Sequence, residues 1–239
     1  MKKYILNILI FTLFTNLSNS QNLDSLYVSR INDTILSKYL NEKRSIEIQL
    51  PRSYDVELDK KYPLMIVLDG DYMFNIVAGS VDYLSYWGDI PENLIVGINQ
   101  KDTRFKDSSV LDNITHTPIT STASFYDFIV NELIPYFSKN YRISNFRVIL
   151  GQERTANFAN FFLLKKNPVF QAVISISPKM TKNMNSYLSE NLSKTNSKII
   201  YTLSSSKKDF ESIYKNVADL KISLDSINNK NLKFESLIF

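Results

Sequence analysis

The sequence contains no cysteine, one histidine and only five glycines among its 239 residues. The absence of cysteine excludes disulfides, thiol nucleophiles and cysteine-ligated metal ions. The single histidine, His116, excludes metal centres built from several imidazoles and leaves one candidate for a base that titrates near neutral pH. We therefore predict no metal site and no cofactor.

Neither sign of charge is concentrated in one part of the chain. The sequence has 28 Lys and Arg residues against 24 Asp and Glu residues, a formal net charge of +4. The basic residues are scattered, whereas nucleic-acid-binding proteins gather them on one face or along one helix. We predict no nucleic-acid partner.

The first 20 residues have the layout of a secretory signal peptide. Lys2 and Lys3 precede an apolar run from Tyr4 to Phe14, and small serines stand just before Gln21. That run is too short to span a bilayer, and no later stretch approaches the roughly 18 apolar residues of a transmembrane helix. We predict cleavage before Gln21, export to the periplasm or the medium, and no transmembrane segment in the mature chain. An uncleaved amino-terminal anchor is the alternative.

The rest of the chain has no internal repeat and no Pro/Gly/Ser-rich linker, which predicts one domain. We assign residues 21–43 to a polar leader and residues 44–239 to the domain. The predicted strands are residues 44–51, 64–68, 93–98, 146–150, 170–177, 198–203 and 232–239. The predicted helices are residues 71–87, 121–140, 155–166, 179–194 and 209–227.

Strands and helices therefore alternate along the chain. Several of the strands are continuous apolar runs, which is typical of parallel strands buried on both faces. The pattern predicts an α/β fold with a mainly parallel sheet and helices on both of its faces. Ligands of such sheets bind at the carboxyl ends of the strands. The candidate site thus lies in the loops after Leu68, Ile98, Leu150, Ser177 and Leu203.

Four segments together resemble a known family. They read KYPLMIVLDGDYMF, GDIPENLIVGINQKDTRF, FIVNELIPYFSKNYRI and FRVILGQERTANFANFFLLKKNPVFQAVISISP, in that order along the chain. The series is similar to the esterase family of α/β-hydrolases that contains esterase D-like and enterochelin-esterase-like enzymes. The similarity covers about residues 44–239. It implies an α/β-hydrolase fold and a serine hydrolase that acts on esters.

The resemblance also assigns roles to particular positions. The family places its serine in a G-x-S-x-G turn, followed along the chain by an acid and then a histidine. By that match, Gly151 takes the first glycine position and Glu153 the serine position, while the backbone N–H of Arg154 would be an oxyanion donor. A second donor would come from the region of Gly70 and Asp71. The acid position falls to Asp209, whose loop follows the strand at residues 198–203.

This sequence departs from the family at several of these positions. The serine is replaced by Glu153. Thr155 and Ala156 occupy positions where the family has glycines, and we expect the sharp turn to relax because glycines favour it. The family's histidine follows the last strand, whereas this chain ends with that strand at Phe239 and lacks the final helix. A gene interrupted after Phe239 is one explanation. His116 is an alternative base, although it precedes the turn in the sequence.

Two functions remain open on this basis. The favoured one is an inactive relative, a pseudoenzyme that binds an ester-like small molecule or a protein partner at the old pocket mouth, with Arg104 and Arg154 among the contacts. The alternative is a carboxylic-ester hydrolase that uses Glu153, Asp209 or His116 in an unconventional way. The missing final helix would expose apolar surface, which favours a homo-oligomer.

Overall fold

Eight strands form a single mixed sheet in the computed structural model, which describes residues 28–239. The strands are β1 (Arg30–Ser37), β2 (Glu42–Gln49), β3 (Tyr62–Val67), β4 (Leu94–Ile98), β5 (Ile143–Gln152), β6 (Ala172–Ile176), β7 (Ile199–Ser205) and β8 (Leu232–Ile238). Their order is β1-β2-β4-β3-β5-β6-β7-β8. Strand β2 is antiparallel to both of its neighbours, and the other neighbouring pairs are parallel.

Within residues 28–239, seven α-helices connect and cover the strands of the sheet. They are α1 (Gly70–Tyr86), α2 (Arg104–Ser108), α3 (Thr120–Phe128), α4 (Ile134–Asn140), α5 (Arg154–Asn160), α6 (Met184–Lys194) and α7 (Glu211–Asp225). A π-helical turn, Ile129–Leu133, joins α3 to α4, and a 3₁₀ turn, Phe161–Leu164, extends α5. No helix within residues 28–239 is both long and apolar enough to cross a membrane.

The core consists of two layers, one on each face of the sheet. Because side chains alternate between faces along a strand, neighbouring residues of β3 enter different layers. Met65 and Val67 pack with Phe74 of α1, whereas Leu64 and Ile66 pack in the larger layer, which α3 to α7 cover. Burying one such side chain contributes roughly 1.5–3 kcal/mol. The two layers therefore fix the sheet between the helices and hold the loops at its carboxyl edge in place.

The fold class predicted from the sequence is confirmed, since the sheet is mainly parallel and helices lie on both faces. Each predicted strand and helix has a counterpart in the structure. On the face covered by α1, some apolar side chains are only partly buried, and these are Ile90, Ile174, Ile176 and Ile200. A homo-oligomer stays a prediction.

Two elements of the structure were not predicted. The sheet begins at Arg30, inside the segment assigned to the polar leader, because β1 pairs with β2 as an edge strand. Only alternate residues of β1 face the interior, so the strand has few apolar residues by which the sequence could reveal it. Helix α2 has five residues and lies in a segment that reads as a polar loop. The predicted signal peptide lies outside the described residues.

Candidate active site at the sheet edge

A sharp turn separates β5 from α5, and we call its residues 151–155 the elbow. Glu153 lies at the apex with φ 55° and ψ −106°. A non-glycine residue rarely adopts this conformation, which costs on the order of 1–3 kcal/mol. A Cβ atom at Gly151 would lie only 2.5 Å from the backbone of Thr155. The sharp geometry is therefore retained, contrary to the expectation that Thr155 and Ala156 would relax it.

The backbone of Glu153 is held by three hydrogen bonds. Its N–H donates to the carbonyl oxygen of Ile176 at 2.9 Å, and its own carbonyl oxygen accepts from the N–H of Lys179 at 2.9 Å and from that of Asn157 at 3.1 Å. Two of these partners belong to β6 and to the loop that follows it. Tertiary contacts thus offset the strain of the elbow.

The side chain of Glu153 forms an ion pair with Arg104, the first residue of α2. Nη1 of Arg104 lies 3.1 Å from Oε2 of Glu153. The same guanidinium donates through Nη2 to the carbonyl oxygen of Gln152 at 3.0 Å and through Nε to Oδ1 of Asp69 at 2.8 Å. Arg104 therefore connects the elbow with the loop after β3.

Asp69 is the buried anion of this network, with 1% of its surface exposed. Its Oδ2 accepts hydrogen bonds from the hydroxyl of Thr155 at 2.7 Å and from that of Tyr72 at 3.0 Å. Its backbone N–H donates to Oε1 of Gln100 at 2.9 Å. Thr155 thus joins α5 to the end of β3.

The charges of the network keep Arg104 and Tyr72 protonated. Desolvation lowers the pKa of Arg104, but the hydrogen bond and the charge of Asp69 more than compensate, so the pKa lies above its ordinary value. Partial burial and the nearby carboxylate of Asp69 raise the pKa of the Tyr72 phenol. Near neutral pH this phenol is a hydrogen-bond donor, because an ionised phenolate beside a carboxylate would be repelled.

An open cavity of about 470 Å³ lies beside the elbow, and we call it the elbow pocket. Its wall is formed by Tyr72, Arg104, Gln152, Glu153, Ser177, Lys208, Asp209, Phe210 and Ile213. The structure thus brings together three residues that the sequence placed far apart, namely Arg104, Glu153 and Asp209. Polar and aromatic groups share the wall, as in small-molecule sites.

Asp209 is fixed at the edge of the pocket by the turn after β7. Its Oδ2 accepts hydrogen bonds from the hydroxyl of Ser205 at 2.8 Å and from the N–H of Ser206 at 2.9 Å. Partial desolvation raises its pKa, but hydrogen bonds from Ser206, Ser177 and Ser205 lower the pKa below its ordinary value. Asp209 is therefore a firmly ionised group, and its part as the family's acid stays a prediction.

A family model described as "Putative esterase" matches residues 37–223. The chain belongs to this esterase family. A search of curated protein sequences finds no match. Membership in the family rests on a match over more than half of the chain, and it agrees with the strand order and with the retained elbow.

Solved structures share the fold of this esterase-family chain at low sequence identity. An uncharacterised protein from Capnocytophaga ochracea has a TM-score of 0.79 at 23% identity, over 88% of this chain and 58% of that one. An IroE-like serine hydrolase from Shewanella oneidensis has a TM-score of 0.72 at 22% identity, over 88% of this chain and 73% of that one. The enterobactin esterase of Shigella flexneri, crystallised in the presence of enterobactin, has a TM-score of 0.67 at 17% identity, over 87% of this chain and 53% of that one. The chain thus spans little more than half of the first and third of these proteins.

Other residues singled out in the sequence lie outside the wall of the elbow pocket. His116 lies in a turn before α3, where its N–H donates to the carbonyl oxygen of Asp112 at 3.0 Å. The side chain of Arg154 lines a different, smaller cavity. The structure thus does not bring Arg154 and Arg104 into the wall of one cavity, and a ligand that contacts both stays a prediction. The reason is that the first turn of α5 directs Arg154 away from the pocket that Glu153 lines.

Gly70 and Asp71 have structural contacts at the start of α1. A Cβ atom at Gly70 would lie 2.8 Å from the backbone of Gly97, so the missing side chain allows α1 to approach β4 closely. Oδ1 of Asp71 accepts a hydrogen bond from the N–H of Gln100 at 3.0 Å. Neither residue is in the wall of the elbow pocket. Their predicted part in an oxyanion site remains a prediction.

Tyr72, Ser177 and Phe210 line the pocket but were not singled out from the sequence. Ser177 directly follows β6 and has φ 45°, a left-handed conformation that tertiary contacts impose. The rule that ligands bind at strand ends led to the loop after Ser177 but assigned no role to the Ser177 side chain itself. Tyr72 lies in the first turn of α1, and a tyrosine at that position is typical of an amphipathic helix, so the sequence gives no sign of a role in the site. Among residues 28–239 there is no cluster of three or more His, Cys, Asp or Glu side chains fit to hold a metal ion.

Proposed function

We propose that this chain is an esterase-family pseudoenzyme that binds a small molecule in the elbow pocket and does not turn over esters efficiently. The ion pair between Glu153 and Arg104 is the observation that carries the proposal. Where the family has a serine hydroxyl, this chain has a carboxylate whose charge is neutralised by a guanidinium at 3.1 Å. Such a pair weakens the carboxylate as a nucleophile, because attack on a carbonyl would have to break it.

The absence of a suitable base supports the same conclusion. After any acyl transfer to Glu153, hydrolysis of the intermediate would need a group that activates water, normally a histidine. No histidine is in the pocket wall formed by the described residues. The cations nearby are Arg104 and Lys208, and a guanidinium does not release its proton in proteins.

The pocket is suited to a small polar ligand with an aromatic or apolar part. Its volume of about 470 Å³ lies within the usual range for small-molecule sites, roughly 300–1,000 Å³. Arg104 and Lys208 provide positive charge, and Phe210 provides an exposed aromatic face at the rim. An ester-like molecule with a polar carbonyl end fits this distribution better than a protein segment, because the cavity is a local recess.

Hydrolysis of short p-nitrophenyl esters tests the proposal. We expect the wild-type protein, Glu153→Gln and His116→Ala to give the same rate as buffer. Glu153→Ser restores the hydroxyl without a base, and it should show at most a slow, single acylation. Steady turnover by the wild type that Glu153→Gln abolishes would refute the proposal.

A second candidate, an ester hydrolase that uses Glu153, is favoured by the retained strain of the elbow. Backbone strain is often kept where it positions a reacting group. In this version the Glu153 carboxylate takes a proton from water and the resulting hydroxide adds to the ester carbonyl. The C–O bond to the alcohol part then breaks, and the protonated Glu153 returns its proton to the leaving alkoxide oxygen. The same assay separates the candidates, because this reaction requires a rate that depends on Glu153 and not on His116.

Export of the mature protein is part of the proposal and rests on the composition of residues 1–20, which lie outside the described part of the chain. Mass spectrometry of the protein recovered from the periplasm or the medium, after expression of the full chain, tests it. We expect a mature amino terminus at Gln21. A product that retains Met1 would contradict export by cleavage.

A further inference from the structure

A second cavity, of about 170 Å³, has Arg154 in its wall, and we call it the side cavity. Its wall is formed by Ser108, Ser109, Leu111, Arg154, Asn157, Lys179, Met180 and Thr181. It shares no lining residue with the elbow pocket. An inference about the side cavity is therefore independent of the proposed function.

The charged groups of the side cavity are both cations. Arg154 lies 3.5 Å from the hydroxyl of Ser109 and 5.5 Å from the ring centroid of Phe105, and neither contact neutralises its charge. Among the ion pairs within residues 28–239, none includes Arg154 or Lys179. The wall contains no carboxylate. The nearest candidate on the chain, Glu153, is already paired with Arg104.

Neutral hydrogen-bonding groups accompany the two cations. Asn157 is 3% exposed, and its Oδ1 accepts from the N–H of Thr181 at 3.2 Å, which leaves its amide protons for another acceptor. The hydroxyl of Ser109, 3.5 Å from Arg154, is a second neutral group of the wall.

We propose that the side cavity binds a tetrahedral oxyanion, phosphate or sulfate, between Arg154 and Lys179. The guanidinium and the ammonium donate charge-assisted hydrogen bonds, and the amide of Asn157 donates a neutral one. The volume is below the roughly 300 Å³ at which whole organic ligands are usually accommodated, so the site takes one compact group. That group is either a free ion or the phosphate or sulfate end of a larger molecule.

Isothermal titration calorimetry with inorganic phosphate and with sulfate, at constant ionic strength in sodium chloride, measures the binding. The full chain is used, and phenyl phosphate is a third ligand. We expect binding of both inorganic ions, weakened about tenfold by Arg154→Gln and about tenfold by Lys179→Gln. Lys182→Gln is the matched control, because Lys182 is exposed in the same loop but is not in the wall of the cavity. Its affinity should stay within about twofold of wild type.

Asn157→Ala adds a variant that keeps both cations, and circular dichroism verifies that each variant folds. We expect it to weaken phosphate binding several-fold, because the amide donor is lost. Tighter binding of phenyl phosphate would support the site and assign it to a larger ligand, and equal or weaker binding would assign it to the free ion. The proposal is overturned if the wild type binds neither ion at millimolar concentration. It is also overturned if Lys182→Gln weakens binding as much as Arg154→Gln does.

Discussion

Nη1 of Arg104 lies 3.1 Å from Oε2 of Glu153, although 48 residues separate the two along the chain. The same guanidinium lies 2.8 Å from the buried Asp69, so one cation serves two carboxylates. The carboxylate at the apex of the strained elbow is thus accompanied by a cation that neutralises its charge.

Arg104→Gln should destabilise the protein, because Asp69 would lose its cation while remaining buried. We expect the free energy of unfolding to fall by about 2 kcal/mol, less than for a fully buried pair because Arg104 is partly exposed and Tyr72 and Thr155 still donate to Asp69. Urea unfolding measures the change. Lys194→Gln breaks an exposed pair with Glu190 and should cost less than about 0.5 kcal/mol. Equal losses in the two variants would contradict this account of the network.

Glu153→Gly and Glu153→Ala isolate the strain of the elbow. Both variants lose the ion pair, but only glycine adopts φ 55° without strain. In an ordinary conformation glycine would be less stable than alanine by about 0.5–1 kcal/mol. Here we expect the opposite order, with Glu153→Gly more stable than Glu153→Ala by about 1 kcal/mol in urea unfolding. The usual order would show that the elbow relaxes at little cost.

Gly151→Ala should disrupt the elbow, because the added Cβ atom would lie 2.5 Å from the backbone of Thr155. We expect a loss of at least about 3 kcal/mol or failure to fold, since backbone atoms on both sides would have to move. Gly79→Ala is the matched control. Gly79 lies in α1 with no atom within 4 Å of the added Cβ, so alanine should stabilise the helix by about 0.5–1 kcal/mol. A similar small effect of both substitutions on the melting temperature would contradict the close packing at Gly151.

Asp209 should make the stability depend on pH in the acid range. Because its pKa in the folded protein lies below its ordinary value of 3.8, the carboxylate stabilises the folded state above that value. The contribution is lost as the pH falls through the folded pKa. In urea unfolding from about pH 6 to about pH 3, Asp209→Asn should lose less stability on acidification than the wild type does. Ser205→Ala removes one hydrogen bond and should behave between the two. Superimposable pH curves for wild type and Asp209→Asn would exclude this contribution.

The sequence predicted the order and type of nearly every element because buried positions are occupied by apolar residues, which recur at the period of the strand or helix. Continuous apolar runs such as that of β4 indicate a strand covered on both faces. Apolar residues spaced four or three positions apart, as in α7, indicate one buried helical face. Such patterns are weak for β1, an edge strand with one inward face, and for α2, which has five residues. Those two elements were missed for that reason.

The candidate site was predicted only in part. The elbow and Asp209 were located through the family resemblance, and Arg104 was named as a contact. Periodicity and motif position do not give the direction of a side chain, which depends on backbone torsions and on the packing around it. Arg104 and Arg154 therefore read alike in the sequence, although they line different cavities in the structure.

The sequence by itself determined the α/β architecture, and its resemblance to the esterase family indicated the location of the elbow with Glu153. The architecture follows from a local property, the residue type and spacing along the chain. The tertiary structure decided that the strained elbow persists, that Arg104 pairs with Glu153 and Asp69, and that Arg154 faces a separate cavity with Lys179. These contacts join loops that are distant along the chain, and they exist because the parallel strands of the sheet end at one edge.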